Sequence, residues 1–431
     1  MPSHTISLTI DRLSYGPAGV GRLDGKVVFV PGTAPGDEIE VVIDEEKKGY
    51  AIGHIASVIT PSVYRRTPPC PYVQQCGGCP WQHLAYSEQL RAKETLVHEQ
   101  LRRIGGFAEI PLLSIIPAPQ EWRYRHRIRL RVEQNVRVGF SPPRSHKLVE
   151  IDSCVIAWEG VAAHLRAVRE WLASLHTPVR QVELSIGEPR AEETAQQLIF
   201  SGEIEGVLRR GDAQVCARFL TTHPQVAGLL LQGQAGRWQW GEPSLSLRVG
   251  QETLTVREGG FTQVNPGANQ LLVDALVQLS GVQREHRVIE LYCGAGNFSL
   301  PLARRARELI GIEQEGRAIA NAQANAASAG VTNARFVRAA VQTGVQELLS
   351  RNIQGDIVIL DPPRTGAAEV IDDLPRLGAR TIVYVSCDPT TLARDLRRLH
   401  AHGYRLHIVQ PLDMFPQSYH VETIAVSVLT C

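Results

Sequence analysis

The chain has no apolar run of the 18 or so residues that a membrane-spanning helix needs, so a helical membrane protein is not expected. Its first residues, MPSHTISLTIDRL, lack the basic-then-apolar order of a signal peptide. The expected compartment is the cytoplasm. A charge surplus is also missing: 45 Lys and Arg face 44 Asp and Glu, a formal net charge of +1. Any anionic partner must therefore be met by local charge rather than by the total. Apolar residues are not scarce. At 43% of 431 residues they argue against disorder and leave room for two to four domains. Eight cysteines are present, at 70, 76, 79, 154, 216, 293, 387 and 431. In a cytosolic chain of this size a disulfide framework is not expected, and metal ligands or nucleophiles are.

Texture divides the chain in three. Residues 5–60 show short alternating runs such as Val27-Val28-Phe29-Val30 and Ile39-Glu40-Val41-Val42-Ile43, separated by turn signals such as Pro35-Gly36-Asp37. That pattern predicts a small OB-like β-barrel, and a linker follows from Pro61 to Pro71. Residues 84–104 place Leu90, Val97, Leu101 and Ile104 on one stripe, which predicts an amphipathic helix ended by Gly105-Gly106. Residues 122–260 mix strand-like and helical pieces without a repeat and read as α+β. From 261 onward, apolar runs at 288–291, 309–313, 334–337, 357–360 and 382–385 alternate with helical or mixed segments. This predicts an α/β, Rossmann-like, doubly wound parallel sheet. The domain boundaries expected are 1–61, 62–260 and 261–431.

Four motifs carry chemistry. Ser-Cys387-Asp-Pro breaks the run Ile382–Val385, so a thiol stands at the carboxyl end of a strand, where open α/β sheets bind ligands. VIELYCGAGNFSL (288–300) runs from a strand into Gly294-Ala-Gly296 and then a helix, which lets backbone approach a ligand and offers free amides. Glu313 ends the next strand and could accept from ribose hydroxyls. The third glycine of the dinucleotide fingerprint is missing, so S-adenosylmethionine fits better than a dinucleotide. Asp361-Pro-Pro-Arg364 stops the fourth strand with two residues that cannot donate to a ladder. This leaves Asp361 at the cleft, and Arg364, where an aromatic would be wanted, argues against exocyclic-amine methylation.

Cys70-x5-Cys76-x2-Cys79, with Cys154 far downstream, supplies four thiolates. Zinc usually takes two short C-x2-C hooks, so three clustered ligands and one remote favour [4Fe–4S]. RYRHRIRLR (123–131) sets Arg123, Arg125, Arg127, Arg129 and Arg131 at period two. On a strand they would share one face, which suits a phosphate backbone.

Together these motifs resemble the RNA uracil-C5 methyltransferase family, in its iron–sulfur branch. FTQVNPGANQ (261–270), LYCGAGNFSL, DPPRTG, YVSCDPTTLARD and FPQSYHVETIAV match in order, and the match covers nearly the whole chain. The resemblance implies a TRAM barrel, a central iron–sulfur domain and a methyltransferase domain. It implies Cys387 as nucleophile and Glu422 as base. Gln263, Tyr292, Gly294, Gly296, Asn297, Glu313 and Asp361 would surround the cofactor and target base, and Cys70, Cys76, Cys79 and Cys154 would hold the cluster. The partner implied is RNA, with 23S ribosomal RNA favoured over transfer RNA, and the protein would act as a monomer. One departure is visible. Where the family commonly has an acidic residue for the adenine amino group, this chain has Arg338-Ala339-Ala340-Val341. The rival reading from another class is a non-catalytic iron–sulfur RNA-binding protein.

Overall fold

The computed structural model describes residues 5–143, 145, 147–188, 197–257 and 260–430, so Cys431 lies outside the described residues. Strands β1 (Thr5–Leu13), β2 (Ala18–Leu23), β3 (Lys26–Pro31), β4 (Glu38–Glu46) and β5 (Tyr50–Thr60) close into a barrel of order β1-β2-β3-β5-β4. Period-two alternation sends Leu8, Ile10, Val28, Val30, Ile39 and Val41 into one small core. Each such side chain contributes about 1.5–3 kcal/mol by leaving water.

Helix α1 (Tyr86–Gln100) follows, continued by a π turn over Leu101–Gly105 and closed by Gly106 at φ 75°. Its apolar stripe is used as the sequence implied: Val97 and Leu101 enter the core of the C-terminal sheet, with Leu90 and Ile104 against it. Ala92 and Leu96 turn the other way and pack with Trp81, Leu84 and Leu13. The helix is therefore a wedge between barrel and C-terminal sheet.

The α+β region is one seven-stranded sheet of order β12-β11-β10-β9-β6-β7-β8. Its strands are β6 (Arg127–Glu133), β7 (Arg137–Phe140), β8 (Val149–Glu150), β9 (Val179–Ile186), β10 (Leu198–Ile204), β11 (Val226–Gly233) and β12 (Gly236–Gly241). The short α2 (Glu159–Ala162) precedes α3 (Leu165–Ser174), and α4 (Asp212–Thr222) follows β10. Trp171 of α3 and Phe219 of α4 meet Phe200 of β10 in its core.

The arginine run is corrected here. Only Arg127, Arg129 and Arg131 lie in β6, alternating with buried Ile128 and Leu130. Arg123 sits at φ 53°. The amides of Arg123 and Arg125 donate to the carbonyls of Val155 and Ile156. That stretch is bonded to the turn after Cys154, so the five arginines do not share a strand face.

A hairpin of β13 (Ser244–Val249) and β14 (Glu252–Arg257) comes next. It packs on α5 (Pro266–Ser280) and α7 (Gly316–Ser328), sharing the core of the C-terminal sheet. Asn325 fixes it, accepting from the Thr255 amide at 2.9 Å and donating to the Thr255 carbonyl at 3.1 Å.

The C-terminal sheet has order β17-β16-β15-β18-β19-β21-β20. Its members are β15 (Arg287–Leu291), β16 (Glu308–Glu313), β17 (Ala334–Arg338), β18 (Ile357–Leu360), β19 (Thr381–Ser386), β20 (Tyr404–Leu412) and β21 (Glu422–Leu429). The first five are parallel, and β21 runs antiparallel to β19 and β20. Helices α6 (Ser299–Ala303), α7, α8 (Val341–Ser350) and α9 (Pro389–Ala401) connect them. Strand order reverses between β15 and β18, the place where such sheets open a crevice at their carboxyl ends. No helix among the described residues is long and apolar enough to cross a membrane.

Candidate active site

The crevice holds a cavity of about 430 Å³. Gln263, Tyr292, Gly294, Asn297, Glu313 and Asp361 all line it. Gly294 takes φ 55°, and a Cβ added there would meet nothing within 4 Å, so the loop leaves open space for a ligand. Gly296 is at φ 97°, but its added Cβ would face Ala322 at 3.8 Å. It shapes the loop and does not line the cavity. Glu313 accepts from the Glu315 amide at 2.8 Å and, more weakly, from the Gly294 amide at 3.4 Å. Asn297 and Asn269 exchange side-chain hydrogen bonds of 2.9 and 3.0 Å. The Tyr292 hydroxyl donates to Glu369 at 2.5 Å. The segment Arg338–Val341 contributes nothing to the lining, whereas Gln314, Glu315 and Asn321 do.

Cys387 follows β19, and Asp388 begins α9 by accepting from the Thr390 and Thr391 amides at 2.8 and 3.2 Å. The capping aspartate and Pro389 explain why the strand stops at this thiol. The β19–β21 register ends with Ser386 paired to Thr423, and Cys387 and Glu422 are the next residues past that pair on the two chains. Glu422 is buried at 4% exposure, and its Oε2 has no hydrogen-bond partner. Burial and then the Asp361 charge hold its carboxyl well above the ordinary range, with Arg364 opposing. Burial also pushes Asp361 up to about 7. The Cys387 thiol is pushed up to about 11, first by burial and then by Glu422, with Arg364 opposing by charge and hydrogen bond. Of these three acidic groups only Asp361 lines the cavity; Cys387 and Glu422 do not, but each feels the Asp361 charge and that of the exposed Arg364 guanidinium.

Cys70, Cys76, Cys79 and Cys154 line a second cavity of about 220 Å³ in the central region. Burial pushes Cys79 up to about 12 and raises Cys76 and Cys154. The sulfurs also feel one another's charge, and the Ala157 amide donates to the Cys154 carbonyl at 3.1 Å. Arg125 and Arg129 flank the cavity. At Gly77 a Cβ would come within 3.0 Å of the Pro143 backbone, so the glycine pair permits the wrapping. Among the described residues no three His, Cys, Asp or Glu side chains gather tightly enough to hold a single metal ion.

The arginines are largely engaged. Arg123 pairs with Glu159, and Arg129 reaches Glu183 at 2.9 Å. Arg127 is 16% exposed, lies 3.9 Å from Glu183 and stands over the Phe261 ring at 5.3 Å. Arg131 donates to Ser141 at 3.3 Å.

Comparison with known proteins decides the family. A 23S rRNA (uracil(1939)-C(5))-methyltransferase RlmD of Aeromonas hydrophila is 35% identical, over 97% of this chain and 95% of that relative. The chain belongs to the RNA (uracil-5-)-methyltransferase family. The model described as tRNA (Uracil-5-)-methyltransferase matches residues 244–428, and a TRAM domain matches 1–56. An uncharacterized RNA methyltransferase of Thermosynechococcus vestitus is 37% identical over 98% of this chain and 97% of its own length. Among solved structures, the tRNA (uracil-54, C5)-methyltransferase of Pyrococcus abyssi, in complex with S-adenosyl-L-homocysteine, superposes with TM-score 0.73 at 26% identity. It covers 98% of this chain and 100% of that one. The family match starting at 244 agrees with the packing of the β13–β14 hairpin on the methyltransferase sheet.

Some residues at this methyltransferase site were not legible as site residues. The sequence marks Arg364 only as evidence against amine chemistry, yet its positive charge opposes the upward push on the Cys387 thiol. The hydroxyl of Tyr15, on the loop after β1, lies 3.5 Å from the Cys387 carbonyl and 3.4 Å from Asp388. No local pattern marks a tyrosine that far away in sequence. Phe261 lines the crevice cavity while 72% exposed, and exposure of so large an apolar ring is the signal that could have found it.

Proposed function

We propose that this protein transfers a methyl group from S-adenosylmethionine to C5 of a uridine in RNA, through a covalent bond between Cys387 and C6. The observation that carries the reading is a thiol just past the end of the β19–β21 register, electrostatically coupled to the buried Glu422 carboxyl and to Asp361, which lines the cavity. Uracil C5 is a poor nucleophile. Attack of the Cys387 thiolate on C6 makes the ring an enolate with electron density at C5. S-adenosylmethionine supplies, when bound, an electrophilic methyl on a cationic sulfonium, hence both the carbon that C5 takes up and a countercharge for nearby anions. Glu422 then accepts the C5 proton through its unpartnered Oε2, the enolate re-forms, and the ring expels the thiolate. Arg364 steadies the thiolate at both ends of the cycle. Gln263, Asn297 and Glu313 lie where a nucleoside and its amino-acid tail would be held.

A [4Fe–4S] cluster on Cys70, Cys76, Cys79 and Cys154 belongs to the same reading. What supports it is that the four thiols line one cavity of about 220 Å³, and that Arg125 beside Cys154 offsets part of the charge that thiolate ligands bring. Such a cluster would act as a cross-link between the chain segments at 70–79 and 154.

Ribosomal RNA is the favoured substrate because relatives about 35% identical over nearly the whole chain carry 23S rRNA names. The Pyrococcus likeness supports transfer RNA as the second reading. Arg123 and Arg129, exposed and held by Glu159 and Glu183, would meet phosphates by exchanging those carboxylates. Unmodified 23S and transfer-RNA transcripts, given methyl-labelled S-adenosylmethionine and digested to nucleosides, test the proposal. The expected product is 5-methyluridine in the 23S transcript. Label in transfer RNA alone would reassign the substrate, and label on cytidine or adenosine would overturn the reaction.

A further inference from the structure

The loop between β20 and β21, residues 413–421, leads directly into Glu422 and is held almost wholly by chain outside the methyltransferase sheet. Lys93 of α1 donates to Asp413 at 2.6 Å and to the Phe415 carbonyl at 3.0 Å. The buried Tyr124 hydroxyl donates to the Pro416 carbonyl at 2.9 Å. Gln417 is the centre of this clamp. Its amide donates to Gln89 at 2.8 Å, and its carbonyl accepts from the Trp81 amide at 3.0 Å. Its side-chain oxygen accepts from Arg66 at 2.7 Å and Gln89 at 3.0 Å, and its side-chain nitrogen donates to the Glu121 carbonyl at 3.3 Å.

Every polar group of this residue is thus spent on the segment 66–121. Gln417 is fully buried and sits at φ 70°, a conformation that side-chain-bearing residues rarely adopt and that persists only when its surroundings impose it. Here they do. Trp81 and Gln82 follow Cys79 by two and three residues, and Arg66 also donates to the Gln82 carbonyl at 3.2 Å. Two residues beyond Gln417, Tyr419 packs edge-on against Tyr15, whose hydroxyl reaches the Cys387 loop.

We infer that Gln417 is a positioning residue that locks the loop leading into the Glu422 base onto the cysteine-bearing segment. This rests on the covalent reading above. A base displaced by about 1 Å costs on the order of a hundredfold in rate, while the thiol, fixed by β19 and α9, stays in place. Losing the clamp should therefore slow release of methylated RNA and spare attack by the thiol.

The test uses Gln417→Met, which keeps length and removes the side-chain bonds, and Gln89→Met, which cuts the same clamp from α1. Each is mixed in single turnover with substrate RNA and methyl-labelled S-adenosylmethionine, quenched in detergent and resolved on a denaturing gel, beside Glu422→Gln as reference. The expected result is label entering a protein–RNA band at near wild-type rate and leaving it about tenfold or more slower, in both variants. Release at the wild-type rate, or equal loss of band formation and release, would overturn the inference while the reference band persists. If Glu422→Gln itself accumulates no band, the base assignment falls and the inference falls with it.

Discussion

Replacing Arg364 should make the Cys387 thiol harder to ionise. The thiol stands at about 11, against an ordinary 9.0, with burial and Glu422 raising it and Arg364 the one group holding it down. At pH 8 a group of pKa about 11 is thiolate in only ~1 molecule in 1,000. Removing an adjacent opposite charge shifts a pKa by about 1–3 units. Arg364 is exposed, so solvent screening puts the effect at the low end, about one unit. The sign is upward, because the lost cation favoured the charged form. Arg364→Met should therefore lower the rate of iodoacetamide alkylation at Cys387 about tenfold at pH 8, with Arg364→Lys nearer to wild type. Peptide mass spectrometry separates Cys387 from the other cysteines. A Met variant alkylated as fast as wild type, or faster, would refute the role given to the guanidinium.

In the same alkylation assay, S-adenosylmethionine should lower the Cys387 pKa and S-adenosylhomocysteine should not. Asp361 lines the cofactor cavity and acts on the thiol, so the cationic sulfonium should matter and the neutral thioether should not; equal effects of the two would contradict this. Lys93 and Asp413 form an ion pair with both side chains at 0% exposure, so Lys93→Met should cost about 3–5 kcal/mol of stability in denaturant titration at pH 7.5. A loss below ~1 kcal/mol would refute it. Cys154→Ser should reduce the iron and sulfide of anaerobically purified protein, from about four of each per chain in the wild type; equal metal in both, or stoichiometric zinc without sulfide, would rule out the cluster.

The strands of the methyltransferase sheet were legible because parallel strands covered on both faces read as continuous apolar runs. Val288–Leu291, Ile357–Leu360 and Ile382–Val385 all lie within observed strands. The thiol at a strand end was legible because Asp388 and Pro389 announce a helix. The arginine run misleads because period two gives parity and not a starting point: the amides of Arg123 and Arg125 find acceptors at Val155 and Ile156, on the far side of the strands β6, β7 and β8. The β13–β14 hairpin fell on the central side of the expected boundary at 260, since alternation shows that a strand has an apolar face and says nothing of which core receives it. Asn325 of α7 supplies that choice. Tyr15, Arg364 and Gln417 matter through contacts between segments distant in sequence, which no local pattern encodes.

The most direct test of the covalent reading uses substrate RNA carrying 5-fluorouridine at the target position, whose C5 substituent no carboxylate can remove as a proton. Incubated with S-adenosylmethionine and analysed by mass spectrometry, the wild-type protein should carry a methylated RNA fragment on Cys387, and Cys387→Ala should carry none. Methylation of ordinary RNA by Cys387→Ala at the wild-type rate, or attachment of the fluorinated RNA at another residue, would contradict it.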